Sequence, residues 1–263
     1  MAYAVWLFAL SLPFLFLERL WPRKPLKTFR RGISNDVFYI LFNSHGLSYA
    51  LGYRAIYAIA ALDRALDLAH LKEWVYWGAI SGRPFWLQFI VLLFAMDFPQ
   101  WCIHNLLHRV GWLWEFHKVH HSIVDLDWIG NWRIHWGEII AYRLLLYLPA
   151  AFFGFSPQAM LYYGLLNTLV GHFAHANLRW KIRPLKFLIN TPELHVWHHT
   201  HPASAPPNRN FAITLSIWDW IFQTWCLPAR DPERLGFTGI ENYLESATGQ
   251  WIEPFRRRKE SLA

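Results

Sequence analysis

From Leu144 to Leu178 the chain carries no Asp, Glu, Lys or Arg, and this one run restricts its fold more than any other feature. A bilayer core takes about 20 mainly apolar residues per helix. The run is long enough for two short crossings, and Gly154-Phe155-Ser156-Pro157 in its middle reads as the turn between them. Met1–Leu17, Val37–Tyr53 and Pro84–Met96 are also free of charge. Composition agrees: 54% of the residues are hydrophobic, 16% are charged, and 17 are Trp, most simply interface anchors. The reading is an all-α, polytopic membrane protein. Its first segment lacks a basic leader, and Glu18-Arg19 follows it in place of a small-residue cleavage site, so it is read as a retained helix.

The net charge of +7 is unevenly placed. Arg19, Arg23, Lys24, Lys27, Arg30 and Arg31 crowd the first loop, and Arg256, Arg257, Arg258 and Lys259 cluster near the C-terminus. Cytoplasmic loops carry such excess. The loop Glu18–Asp36 is therefore placed in the cytoplasm, with the N-terminus outside and the C-terminus cytoplasmic, as in a bacterial inner membrane. Helices are expected over about Val37–Tyr53 and Phe85–Ile103, then a hairpin of Leu144–Phe153 and Pro157–Val170, with Phe211–Trp225 lying at the interface. The basic residues have no nucleic-acid-binding fold around them, which argues against a nucleic-acid partner. Cys102 and Cys226 form no C-x-x-C pair, so neither a disulfide framework nor a thiolate zinc site is expected.

Ten of the 14 histidines fall in four tight clusters: His104/His108, His117/His120/His121, His172/His175 and His195/His198/His199. Residues three and four apart share a helix face, so each cluster aims its imidazoles one way. One metal takes roughly four to six ligands, so ten imidazoles imply two metals. The helix count places every cluster on the cytoplasmic side, in a histidine-rich helical cap, although the histidines played no part in that count. Lone His45 and His70 read as structural. His201 is balanced between a surface loop and support of a ligand. Asp97, a charge inside an apolar run, is expected to brace a histidine N–H, and Glu138 likewise.

The order Asp97…His104-x3-His108…Trp114-x2-His117-x2-His120-His121-Ser122, Arg133-Ile134-His135-x2-Glu138, His175-Ala176-Asn177, Thr191-Pro192…His195-x2-His198-His199, Asn210-Phe211…Trp218-Asp219…Phe222-x-Thr224 resembles the fatty acid hydroxylase/sterol desaturase superfamily. The likeness runs over roughly Asp97–Leu227. Asn105, Trp136, Asn208, Ala212 and Gln223 depart from the usual pattern without removing a histidine. The resemblance implies a membrane-bound, non-haem di-iron oxygenase that hydroxylates or desaturates a lipid, fatty acyl or sterol-like substrate. It implies His104, His108, His117, His120, His121, His172, His175, His195, His198 and His199 as iron ligands, with zinc as an adventitious substitute. Asp97, His135, Glu138, Asn177 and His201 are expected nearby, supporting ligands or touching substrate.

Three segments are expected: residues 1–84 with the N-terminal helices, residues 85–227 as the catalytic domain, and residues 228–263 as a basic cytoplasmic tail. No G-x-G-x-x-G or haem-binding extension is found, so electrons are expected from a separate reductase or a ferredoxin- or cytochrome-type carrier. The competing reading is a non-catalytic metal-binding or transport protein. Transporters place their ligands at mid-membrane, and these clusters sit at helix ends. No H-E-x-x-H signature marks a metalloprotease.

Overall fold

The computed structural model describes residues 2–72, 78–147, 150 and 153–260. Helix α1 (Ala2–Leu20) ends at Trp21-Pro22, where proline disfavours helix for the residue before it. Gly32, with φ of +79°, turns the chain into α2 (Ile33–Tyr39), which passes through a π-helical stretch, Ile40–Leu47, into α3 (Ser48–Leu68). Helix α4 (Phe85–Arg109) follows Pro84 and runs past the expected end at Ile103, so His104 and His108 lie on its last turns. Helix α5 (Gly111–His121) carries the second cluster, and α6 (Trp136–Tyr142) leads into a π-helical turn, Arg143–Tyr147.

The expected turn before Pro157 is present: Gly154 has φ of +78°, and α7 (Pro157–His175) opens with proline in its first turn. Ser156 caps it, its Oγ accepting from the Ala159 amide at 3.2 Å. Most of the hairpin's other arm beyond Tyr147 lies outside the described residues. Helices α8 (Pro192–His198), α9 (Ile217–Ile221) and α10 (Ala247–Glu260) complete the chain. Among the described residues the fold is helical without a strand. Three isolated β-bridges, such as Pro22 with Leu178, are its only sheet-like contacts.

Helix α4 lies against α5 and α7, and α7 also packs on α1, α8 and the 3₁₀ turn Trp128–Trp132. One end of the α4–α7 pair is apolar, with Leu92, Met96, Leu146, Ala159 and Tyr163 in a single cluster. The other end of the pair carries the histidines. Among the described helices, α4 alone is long and apolar enough to cross a membrane. Of the other long helices, α3 carries Arg54, Asp63, Arg64 and Asp67, and α7 holds Asn167, Thr168, His172 and His175, which make both more polar.

The basic first loop docks on the histidine-bearing end. Asp36, fully buried in α2, accepts from Arg30 at 2.6 Å and from Arg133 at 2.5 Å, and Arg30 also pairs with Asp127. Glu18 accepts from the backbone amides of Trp128 (2.9 Å) and Asn177 (2.7 Å). Helix α10 closes the same face against α5 and α2, helped by an ion pair between Arg31 and Glu245.

Candidate metal centre

Nine imidazoles converge in two adjoining groups. Helix α4 supplies His104 and His108, α5 supplies His117 and His121, and α8 supplies His198 to the first group. The second takes His120 from α5, His175 from the end of α7, and His195 and His199 from α8 and its C-cap. The i, i+3, i+4 spacing splits HKVHH between the groups: His117 and His121 go to one and His120 to the other. Within each group the ligand atoms lie within 4.8 Å of one another.

The hydrogen bonds fix which nitrogen is bare. The Nδ1 of His104 donates to the Phe211 carbonyl (2.7 Å), that of His198 to Arg209 (2.9 Å), that of His120 to Arg133 (3.2 Å) and that of His175 to Gly171 (2.8 Å). His117 Nδ1 donates to the Glu138 carboxylate at 3.1 Å. A neutral imidazole has one N–H, so the Nε2 of each of these five is an unprotonated lone pair. Yet His104 Nε2 faces His117 Nε2 at 3.1 Å, and His120 Nε2 faces His175 Nε2 at 3.1 Å. Two lone pairs at that separation repel each other; a cation between them turns the clash into coordination. Ligands at about 2.1 Å from an ion stand about 3.0 Å apart when cis in an octahedron and about 3.4 Å apart in a tetrahedron. The spacing, the all-imidazole donor set and the unpartnered, buried His108 Nε2 all fit a divalent first-row metal in each group.

Burial favours the neutral form of the following donors. Burial, reinforced by the neighbouring imidazoles, pushes His120, His121, His195 and His199 well below the ordinary histidine range, and burial takes His198 down to about 3. Neutral imidazole is the ligating form.

The remaining expected residues are placed differently. His172 stands outside both groups: its ring nitrogens meet Ser11 Oγ and Asn131 Nδ2, each at 3.3 Å, and its ring packs edge-on against Trp128. Glu138 braces His117, as expected. Asp97 does not reach a histidine. It lies two turns before His104, about 10 Å along the helix, and its oxygens accept from the Thr214 and Leu215 amides and Trp218 Nε1 at 2.8–3.0 Å. His135 caps α6, accepting from the Gly137 amide at 3.0 Å, and donates to the Trp251 carbonyl at 3.0 Å. Asn177 exchanges hydrogen bonds with the Lys24 backbone, and His201 accepts from the Ala203 amide at 3.1 Å. These last four tie loops and helices together. His70 is exposed.

Sequence reading quoted Asp219 in the family pattern without giving it a role, and missed Asn190. Asp219 accepts from the amides of Phe211 and Ala212, from Trp101 Nε1 and from Thr224 Oγ1, and so holds the carbonyl that orients His104. A carboxylate in a Trp-rich apolar stretch needs partners, and that was the available signal. Asn190 Nδ2 lies 3.2 Å from His195 Nδ1 and donates to the Ala212 carbonyl at 2.7 Å. An isolated amide offers no pattern to read.

Two cavities flank the histidines. One, of about 220 Å³, is lined by His104 and His117 of the first group and by His120, His175 and His195 of the second, and runs between α4, α6 and α7. The other, of about 250 Å³, reaches His108, His121 and His198 past Trp114 and Phe237. A larger, charged cavity of about 620 Å³ between the first loop and residues 231–245 touches none of the nine.

Residues 89–224 match the family model described as fatty acid hydroxylase. Ornithine lipid hydroxylase OlsE of Rhizobium tropici is 28% identical over 250 residues, which cover 93% of this chain and 72% of that protein. The alkylglycerol monooxygenases of Xenopus tropicalis and Homo sapiens are each 29% identical, over 63% and 62% of this chain. The chain spans about a third of their length, 35% and 33%. No solved structure matches.

Proposed function

The chain belongs to the fatty acid hydroxylase family, and we propose that its two histidine groups each hold one iron ion and that it hydroxylates a membrane lipid with O₂. The observation that carries this reading is the pairing of bare Nε2 atoms at 3.1 Å within both groups. His104, His108, His117, His121 and His198 would hold one iron, and His120, His175, His195 and His199 the other. Bound iron supplies the activation of O₂ that no side chain can provide. In the overall reaction a C–H bond breaks and a C–O bond forms. One oxygen atom enters the lipid and the other leaves as water, consuming two electrons and two protons. A separate reductase or ferredoxin- or cytochrome-type carrier supplies the electrons.

The protein's own contribution is orientation and exclusion of water. Carbonyls of Phe211, Arg209, Arg133 and Gly171, with Glu138, fix five rings in one tautomer, and α4 to α8 bury them. The cavity touching both groups would take the lipid, and the one beside Trp114 offers a separate approach from the cap. Relatives named for lipid hydroxylation favour an oxygenase over metal carriage. The membrane topology is that expected from the charges, with the cap cytoplasmic.

The test is ¹⁸O₂ labelling in cells at matched expression. Wild type and His70→Ala should place ¹⁸O in a lipid, and His198→Ala should not; purified wild type should hold close to two iron equivalents. Label surviving His198→Ala would remove this centre as the oxidant. An alkene without label would change the reaction to desaturation.

A further inference from the structure

Resting on the lipid-oxygenase reading, we propose that Tyr142, Asn167 and Thr168 bind a hydrogen-bonding group of the lipid and thereby place oxidation at its polar end, not toward its methyl end. All three line the cavity that touches both histidine groups. A cavity built for a mid-chain methylene would be walled by hydrocarbon. This one has Trp132, Ile134, Ile139, Leu146 and Ile213, but it also has Gln100, Asn131, Asn167, Thr168 and Tyr142.

Several of these polar atoms are spoken for. Asn167 Nδ2 donates to Thr214 Oγ1 (3.0 Å) and to Gln100 Oε1 (3.4 Å), which fixes the amide plane. Its Oδ1, the Tyr142 hydroxyl and the Thr168 hydroxyl take no hydrogen bond from any described residue. A bare alkyl chain entering here would strip water from all three and return nothing, leaving each group unsatisfied. An ester, amide, ether or hydroxyl group would replace that water bond for bond. Two are donors and one an acceptor, so the complementary ligand carries both an acceptor oxygen and an O–H or N–H.

The same groups set a ruler. Thr168, Gly171 and His175 share one face of α7, with Thr168 two turns from His175, about 10 Å along the axis. Glycine at 171 lets Asn131 close on the helix between them, where an added Cβ would lie 2.7 Å from its Oδ1, and both residues line the cavity. A lipid whose polar group sits at Thr168 therefore presents to the histidines a carbon no more than about 10 Å away. That range covers the headgroup, the linkage and the near half of a long chain.

Thr168→Val and Tyr142→Phe each delete a hydroxyl while keeping the shape. Neither hydroxyl has a hydrogen-bond partner among the described residues, so both variants should keep wild-type iron content and unfold at or above the wild-type temperature. In proteoliposomes of total bacterial polar lipid under ¹⁸O₂, with NADPH, ferredoxin reductase and ferredoxin added to supply the two electrons, the wild-type label should map by fragmentation to the polar end. Each variant should raise KM about tenfold, with kcat nearly unchanged. Fluorescence titration of iron-free protein with 1-monopalmitoylglycerol should weaken in both variants by a similar factor, whereas hexadecane binding should not change. Wild-type label in the methyl-end half of the chain would overturn the proposal and leave the hydroxylase reading intact, as would variants with wild-type KM and titrations. Absence of label anywhere would defeat the hydroxylase reading, and the titrations would still decide this one.

Discussion

An imidazole that gives its only N–H to a carbonyl has one lone pair left, and the direction of that lone pair is set by a group the histidine spacing does not reveal. His104, His120, His175 and His198 each depend on a backbone carbonyl, whereas His117 depends on the Glu138 side chain and His195 meets the Asn190 side chain. The sequence showed which histidines cluster, because helical periodicity is written in spacing. It could not show their bracing, because every residue has a carbonyl. His172 shows the limit of spacing: it sits one turn from His175, yet it faces Ser11 and Asn131. Glu138 is the charged brace, and it is open to mutation. Glu138→Ala should lower iron affinity about 10- to 100-fold, read by competition with a chelator of known affinity. Glu138→Gln, which keeps an acceptor and loses the charge, should lose less. Equal affinity in Glu138→Ala and wild type would show that His117 needs no brace.

Whole elements were legible where their boundaries are chemical. Pro84, Pro157 and Pro192 open α4, α7 and α8, and the Gly154 turn stands where the charge-free run was divided. Interior carboxylates were harder to read, since a buried charge announces a partner but not its identity. Asp97 and Asp219 both fasten residues 211–224 to the rest of the site. Asp36 is the clearest case at this scale. It is the buried joint between α2, Arg30 and Arg133, and the Arg133 carbonyl orients His120. Removing one partner of a buried ion pair costs about 3–5 kcal/mol, because the other charge is left uncompensated. Asp36→Ala should therefore lower the unfolding temperature sharply in detergent. It should also loosen the iron held by the His120 group before the other, seen as a fall from two toward one equivalent. An unfolding temperature equal to wild type would mean that the network is not coupled to the cap.

At the scale of the molecule, the charge distribution and the packing bear on the same question by separate routes. The first loop was placed in the cytoplasm because six basic residues crowd it. In the folded chain this loop packs on the histidine-bearing cap: Lys24 pairs with Asp125 at 2.9 Å, Arg30 pairs with Asp127, and the Arg23 amide donates to the Asn177 carbonyl at 2.9 Å. Helix α10 joins the same face through Gln250, near the Tyr39 hydroxyl at 3.2 Å, and through the Trp251 carbonyl that His135 holds. Loop, histidine-bearing end and tail cannot separate across a bilayer without breaking these contacts, of which the Arg30 pair is buried on the arginine side, so the three are expected in one compartment. Topology reporters joined after Arg31 and after Ala263 should both report the cytoplasm, and a cytoplasm-restricted protease should cut at Arg209 or Arg230 in inverted vesicles but not in intact spheroplasts. Exposing the basic loop as an anchor by Arg23→Glu, Lys24→Glu and Lys27→Glu should reduce correctly inserted protein, because the orienting charge is then reversed in the segment that follows α1. Reporters reading opposite sides would require an odd number of crossings between them and would overturn the hairpin at Gly154–Pro157. Both reading the outside would invert the molecule.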